Sequence, residues 1–262
     1  MPSHLASLGF PLEMDALYQE RLLNAALSGE QLRSRDGAYV RWAPGAGVEL
    51  WLQVQDREVI GLAPHFAGEA GMRVALTERV PRPEESRLAG AFYGWANPPA
   101  DAPEDGEFPF VFELPDAGRF VGLALPCIAS VQLAAFAQEL RCFPSEAAFD
   151  ASHGDAQISY AAESLIPIGT FVEAGETPAA YAMFTGRILR AERRVNPFAG
   201  GAFWWARVAT LGGQVDVVAD PRAVEGEPMA GGIAQGSFWL SGRLPTALAD
   251  PDRAFWRRWL PA

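Results

Sequence analysis

Between residues 48 and 54, Val48, Leu50, Leu52 and Val54 alternate with Glu49, Trp51 and Gln53. A period of two predicts a β-strand with one buried face. Asp56-Arg57 then reads as a hairpin tip, and Val59 to Ala63 as the returning strand. Upstream, the period changes. Leu17, Tyr18, Leu22, Ala25 and Ala26 share one side of a helical wheel, while Glu20, Arg21 and Asn24 take the other. Asp15 stands where an N-cap belongs and Gly29 where the helix should stop, so a helix is predicted between them. Leu5 to Pro11 reads as a first strand.

Met72 to Val80 reads as another strand through Val74, Leu76 and Val80. Asn97 to Glu107 holds three prolines and four acids with no base, which predicts an exposed acidic loop. Ala129 to Leu140 carries the alternation Val131, Leu133, Ala135 and reads as a strand, although its Gln, Glu and Ala content also suits a helix. Ala180 to Val195 alternates through Tyr181, Met183 and Ile188. Phe203–Leu211 and Gln214–Val218 follow as strands joined at Gly212-Gly213, a two-residue turn. Gly232 to Leu244 is a last strand. Residues 250–260 place Phe255, Trp256 and Trp259 together, which predicts a short amphipathic tail helix.

One stretch occurs twice. Gly37-Ala38-Tyr39-Val40-Arg41-Trp42-Ala43 is matched by Gly90-Ala91-Phe92-Tyr93-Gly94-Trp95-Ala96, and the segments after each copy also correspond, as far as Ala63 and Ala124. Each copy reads as three consecutive strands. The fold expected is α+β and mostly β, with duplicated βββ units in an N-terminal domain (1–150), a crossing segment (151–178), an OB-like β-barrel (179–245) and the tail helix (246–262).

The order strand, helix, βββ, strand, loop, βββ over residues 4 to about 125 resembles the paired modules of the vicinal oxygen chelate superfamily, the glyoxalase and bleomycin-resistance fold. It departs from that pattern where Pro81–Arg87 replaces the second module's helix. Residues 178–245, a long strand, hairpin, loop and strand, resemble an OB-fold barrel. The segments Gly90–Pro98 and Gly236–Leu244 also resemble an uncharacterised bacterial family, a likeness that implies no activity.

Composition narrows the chemistry. All 21 basic residues are arginine. Without lysine there is no Schiff base, no pyridoxal anchor and no Walker lysine. The net charge of −11 is uneven. Residues 1–150 carry 21 acids against 11 Arg, a balance of −10; residues 151–262 carry 11 against 10, a balance of −1. The acidic first half repels phosphate backbones and anionic lipid. Cys127 and Cys142 lie among apolar residues and read as reduced core thiols. Met1–Gly9 lacks a basic leader, and no apolar run approaches ~20 residues, so a cytoplasmic protein without membrane spans is expected.

The chelate resemblance implies metal ligands on the sheets' concave faces. His4, His65 and Glu78 are the residues of suitable type, but the last strand of each unit, Val59–Ala63 and Phe120–Ala124, offers none. No Gly-x-Ser-x-Gly elbow is present. Asp216 and Asp220 read as solvated residues at a strand end. In the second half, Arg187, Arg190, Arg193, Arg194 and Arg207 accompany Trp204 and Trp205, the mixture with which OB barrels hold single-stranded nucleic acid. Against it, alternating aromatics are usually core. The leading expectation is a non-catalytic binding protein without cofactor or metal. Its partner would be a small molecule or a protein, with homodimerisation allowed and nucleic acid disfavoured. Trp42, Trp51, Trp95 and His65 would line the site. The alternatives are an OB-type single-strand binder through the arginine set and a metal-dependent lyase or dioxygenase of the chelate type.

Overall fold

The computed structural model describes residues 4–82, 84–153, 162–173 and 175–249. Among these residues the chain is mostly β, with two α-helices. Residues Leu5–Pro11 form not a strand but a 3-10 turn, Ala6–Leu8, closed by Gly9 at φ 77°. Helix α1, Ala16–Ala26, starts as its sequence predicts: the Asp15 carboxylate accepts from Tyr18 N at 2.7 Å.

Four strands follow as an antiparallel meander: β1 Glu30–Ser34, β2 Gly37–Gly45, β3 Val48–Gln55 and β4 Glu58–Phe66. The tip between β3 and β4 is Asp56-Arg57, both at positive φ (51° and 70°), as a tight hairpin turn demands. The expectation of one buried face fails on β3. Leu50 and Leu52 are buried on one side, and Glu49, Trp51 and Gln53 are buried on the other.

The remaining strands are β5 Met72–Pro81, β6 Gly90–Ala96, β7 Pro109–Glu113, β8 Cys127–Phe143, β9 Ser164–Ile166, β10 Tyr181–Val195, β11 Ala202–Thr210, β12 Gly213–Ala219, β13 Val224–Glu225 and β14 Ile233–Arg243, with helix α2, Glu146–His153, after β8. All ten strands belong to one sheet. Residues 129–140 are therefore strand, and 97–107 is the expected loop. The turn between β11 and β12 is Leu211-Gly212 rather than Gly212-Gly213, because Gly213 already pairs with Thr210. The expected crossing segment contains β9, paired with β10. Most of the expected tail helix lies outside the described residues; Thr246–Leu248 is a 3-10 turn.

The repeat seen in the sequence is not a structural one. Its first copy, β2–β4, sits in the four-stranded sheet and its second, β6 and β7, in the ten-stranded one. The expected third strand of the second copy is instead a 3-10 turn, Ala117–Phe120, and the bend after it. A different repeat is present in the wiring. Strands β5, β6 and β7 form a meander, then a 3-10 turn leads into long β8. Strands β10, β11 and β12 form a second meander, and the 3-10 turn Pro221–Ala223 precedes long β14.

Each long strand serves both meanders. The start of β8 pairs antiparallel with β5 (Met72 opposite Val131), and its middle runs parallel to β12 (Val217 opposite Ala135). The start of β14 pairs antiparallel with β10 (Phe184 opposite Gly236), and its end runs parallel to β7 (Ser241 opposite Glu113). β8 and β14 pair antiparallel with each other from Phe143–Ile233 to Gln132–Arg243. Two five-stranded rings thus close on one shared pair of strands. The pairing ties residues 127–143 to 233–243, across the boundary expected at 150. Close approach of β14 to β7 is set by glycine: a Cβ on Gly242 would lie 2.2 Å from the ring of buried Phe112.

Candidate functional site

A line of buried polar side chains crosses from the four-stranded sheet into the shared strands. His65, near the end of β4, is 0% exposed. Its Nδ1 lies 2.8 Å from Ser241 Oγ on β14, and its Nε2 lies 2.8 Å from Gln132 Oε1 on β8. The amide of Gln132 donates to Asp216 Oδ2 on β12 at 3.0 Å. Asp216, also 0% exposed, further accepts from Ala70 N and from Trp205 Nε1, each at 2.9 Å. The expectation of a solvated Asp216 is therefore corrected: three donors replace the water. Asp220 is buried too, capping the Pro221–Ala223 turn through Arg222 N.

The partners fix the direction of this chain. A carboxylate only accepts, so Gln132 must turn its NH2 toward Asp216 and its oxygen toward His65. The proton of His65 then sits on Nε2, and Nδ1 accepts from the Ser241 hydroxyl. Burial holds the His65 pKa below its ordinary value, against the pull of Glu49 and Gln132, which keeps the ring neutral at pH 7.

Glu49, opposite His65 in the β3–β4 ladder, makes the second knot. Its Oε1 accepts from Arg41 Nε at 2.8 Å and Arg243 Nη1 at 3.3 Å, and its Oε2 from Trp51 Nε1 at 3.0 Å. Burial disfavours the Glu49 charge, but the hydrogen bond from Arg41 and the guanidinium charges of Arg243 and Arg41 prevail and hold its pKa below the ordinary carboxylate value. Gln53 accepts from Ser86 Oγ. With its polar groups satisfied in this way, this face of β3 can be packed dry.

Ser241 lines a cavity of about 470 Å³ between the end of β4, the starts of β6 and β10, the end of β7, and β14. Trp239, Tyr181 and His4 contribute rings, the last stacked on Trp239 at 4.2 Å. Buried Arg82 donates to Pro178 O at 2.6 Å and lies 3.6 Å from Glu113. Burial raises the Glu113 pKa, and Glu85 adds to the rise; Arg82 and a hydrogen bond from Trp239 oppose it. Two other grooves, of about 640 and 620 Å³, touch no part of the His65 network.

The residues expected to line a site fall in different places. Trp51 is buried under Arg41, Trp42 packs edge-on against Phe198, and Trp95 stands on β6 opposite Ala75. None of the three lines the cavity, and His65 sits behind its wall rather than in it. His4, His65 and Glu78 are not brought together: His4 stacks on Trp239, Glu78 is exposed on β5, and among the described residues no three His, Cys, Asp or Glu side chains form a metal-binding group.

The arginine set is largely committed to carboxylates. Arg187 pairs with Glu146, Arg190 and Arg194 with Glu192, and Arg207 with Glu69. Arg193 is exposed on β10 opposite Trp204. Trp204 packs against the core, while Trp205 is buried with the Arg194 guanidinium 4.0 Å over its ring. Cys127 and Cys142 are free thiols toward opposite ends of β8, and burial pushes the Cys142 pKa up to about 12. The sequence reading missed Gln132, Ser241, Glu113 and Arg82. Each is a single polar residue within or beside a strand, and no spacing links them.

No protein-family model matches this chain, and no curated protein or solved structure matches it.

Proposed function

We propose that this chain is a non-catalytic protein that binds a small molecule in the cavity beside Ser241. The observation that carries the reading is the meeting of a half-open cavity with buried Arg82, Ser241 and Trp239 and half-buried Glu113. A cavity of this size fits a small metabolite, and a few fixed polar groups among apolar walls are the usual makeup of a ligand site. The groups are held by the framework rather than by each other alone. Ser241 is oriented by His65, and Arg82 by Pro178 O. Such pre-organisation lowers the ordering cost of binding.

Each five-stranded ring, with a meander of three strands and two further strands closing it, is in keeping with an OB-type barrel. On that reading β8 supplies the strand that residues 179–245 lack. The single-strand-binding alternative is weakened by the carboxylate partners of Arg187, Arg190, Arg194 and Arg207. A cytoplasmic location is part of the proposal; among the described residues no helix is long and apolar enough to cross a membrane.

Ligand-observed NMR with a fragment collection tests the cavity. Ala89 lies on its wall, so Ala89→Trp fills it. Fragments that bind the native chain and lose binding in Ala89→Trp, with the circular dichroism unchanged, support the site. Fragments that bind both equally refute it.

A further inference from the structure

We propose that the cavity ligand is a small ammonium compound, a primary or secondary amine on an apolar body; this rests on the cavity being the binding site. Two independent features of the wall agree. The first is the direction of the buried chain. Gln132 and Asp216 leave His65 with a free lone pair on Nδ1, and that lone pair holds the Ser241 proton. Among the described residues this is the one hydrogen bond that Ser241 Oγ makes. Its remaining lone pairs are acceptors on a side chain that is 1% exposed and lines the cavity. A ligand N–H can donate to this oxygen without disturbing its bond to His65.

The second feature is charge. Among the described residues, Glu84, Glu85 and Glu113 line the cavity against one cation, Arg82, whose guanidinium is occupied by Pro178 O and Glu113. His4 adds no positive charge, since burial lowers its pKa. Glu113 is the carboxylate for which an incoming cation matters most. It is half-buried, Glu85 repels its charge, and Arg82 compensates from 3.6 Å. An ammonium group above the β7–β14 bridge, where Glu113 and Ser241 stand side by side, would meet one acceptor from each strand. Leu62, Pro64 and Leu114 give an apolar wall for the rest of the molecule.

The test uses four probes of one shape on the full chain: benzylamine, benzyltrimethylammonium, benzyl alcohol and benzoate. Binding is followed by calorimetry and by the shift of the Trp239 indole N–H, assigned with Trp239→Phe. The expected result is that benzylamine binds at least tenfold more tightly than the other three. The quaternary compound is weaker because it has no N–H for Ser241. Glu113→Gln should cost benzylamine about tenfold, and Glu85→Gln, a change at an exposed rim position, should cost it about threefold. Benzoate or benzyl alcohol binding as tightly as benzylamine, with the Trp239 signal moving, would overturn the ammonium proposal and leave the cavity reading standing. Failure of every probe and every fragment to move the Trp239 signal would overturn both.

Discussion

The Nδ1 of His65 lies 2.8 Å from the Oγ of Ser241, although 176 residues separate them in the chain. The contact joins the four-stranded sheet to β14, one of the two strands that both rings share. Its direction follows from Gln132, whose oxygen takes the proton of Nε2 and leaves Nδ1 to accept from the hydroxyl. The nitrogen spectrum of the native chain should therefore show His65 neutral at pH 7, with the proton on Nε2. A proton on Nδ1 would reverse the Gln132 orientation and remove the first support for an ammonium ligand.

Asp216 gathers three donors from three elements: Ala70 N, Gln132 on β8 and Trp205 on β11. Hydrogen bonds to a buried charge contribute about 1.5–3 kcal/mol each, and an orphaned donor adds its own desolvation cost. Asp216→Ala should lower unfolding stability by about 3 kcal/mol or more in urea titration. A loss below about 1 kcal/mol would mean that the network contributes little.

The pH dependence follows from two buried groups. His65 has a folded pKa below its unfolded value near 6.5, so the unfolded chain binds the proton first. Its contribution is present above pH ~6.5 and is lost as the pH falls below that. Glu49, also depressed, contributes above its unfolded pKa and loses that contribution only below pH ~4.3. Thermal melts should therefore show a first decline beginning below pH ~6.5 and a steeper one below ~4.3. In His65→Gln the first should disappear and the second remain. A melting temperature that stays flat from pH 7 to 5 would contradict the burial of a neutral His65.

Two neighbouring glycines should respond in opposite ways. A Cβ on Gly68 would lie 1.9 Å from Asp216 Oδ2, whereas one on Gly71 would meet nothing nearer than Ser130 Oγ at 3.5 Å. Gly68→Ala must displace the carboxylate and break its hydrogen bonds, and should cost about 2–3 kcal/mol. Gly71→Ala should stay within ~0.5 kcal/mol. Equal effects in a denaturant series would show that Asp216 is not held where its donors place it.

Much of the element list was legible in the sequence. Helix α1 follows from Asp15 and the spacing of Leu22 and Ala26, the β3–β4 tip from Asp56-Arg57, and β8 and β10 from alternation. These signals are local: a cap, a turn and a side-chain period act within a few residues. The repeated Gly-Ala-aromatic stretch misled because similar strand sequences suit any half-buried strand, whichever sheet they join. The true repetition lies in pairing, where β8 and β14 each close the other's meander, and no run of residues encodes a partner so far away.

The site was less legible for a related reason. Alternation on β3 marks Glu49 and Gln53 as solvent-facing, and that holds for a strand considered alone. Arg41, Arg243, Trp51 and Ser86 come from other strands, a loop and β3 itself, and together they meet the hydrogen-bonding needs of that face. The sequence by itself determined helix α1 and many of the strands, the overall acidity and the lack of lysine chemistry. Only the tertiary structure decided which polar residues are buried, because burying a charge becomes tolerable once distant donors have been brought within 3 Å of it.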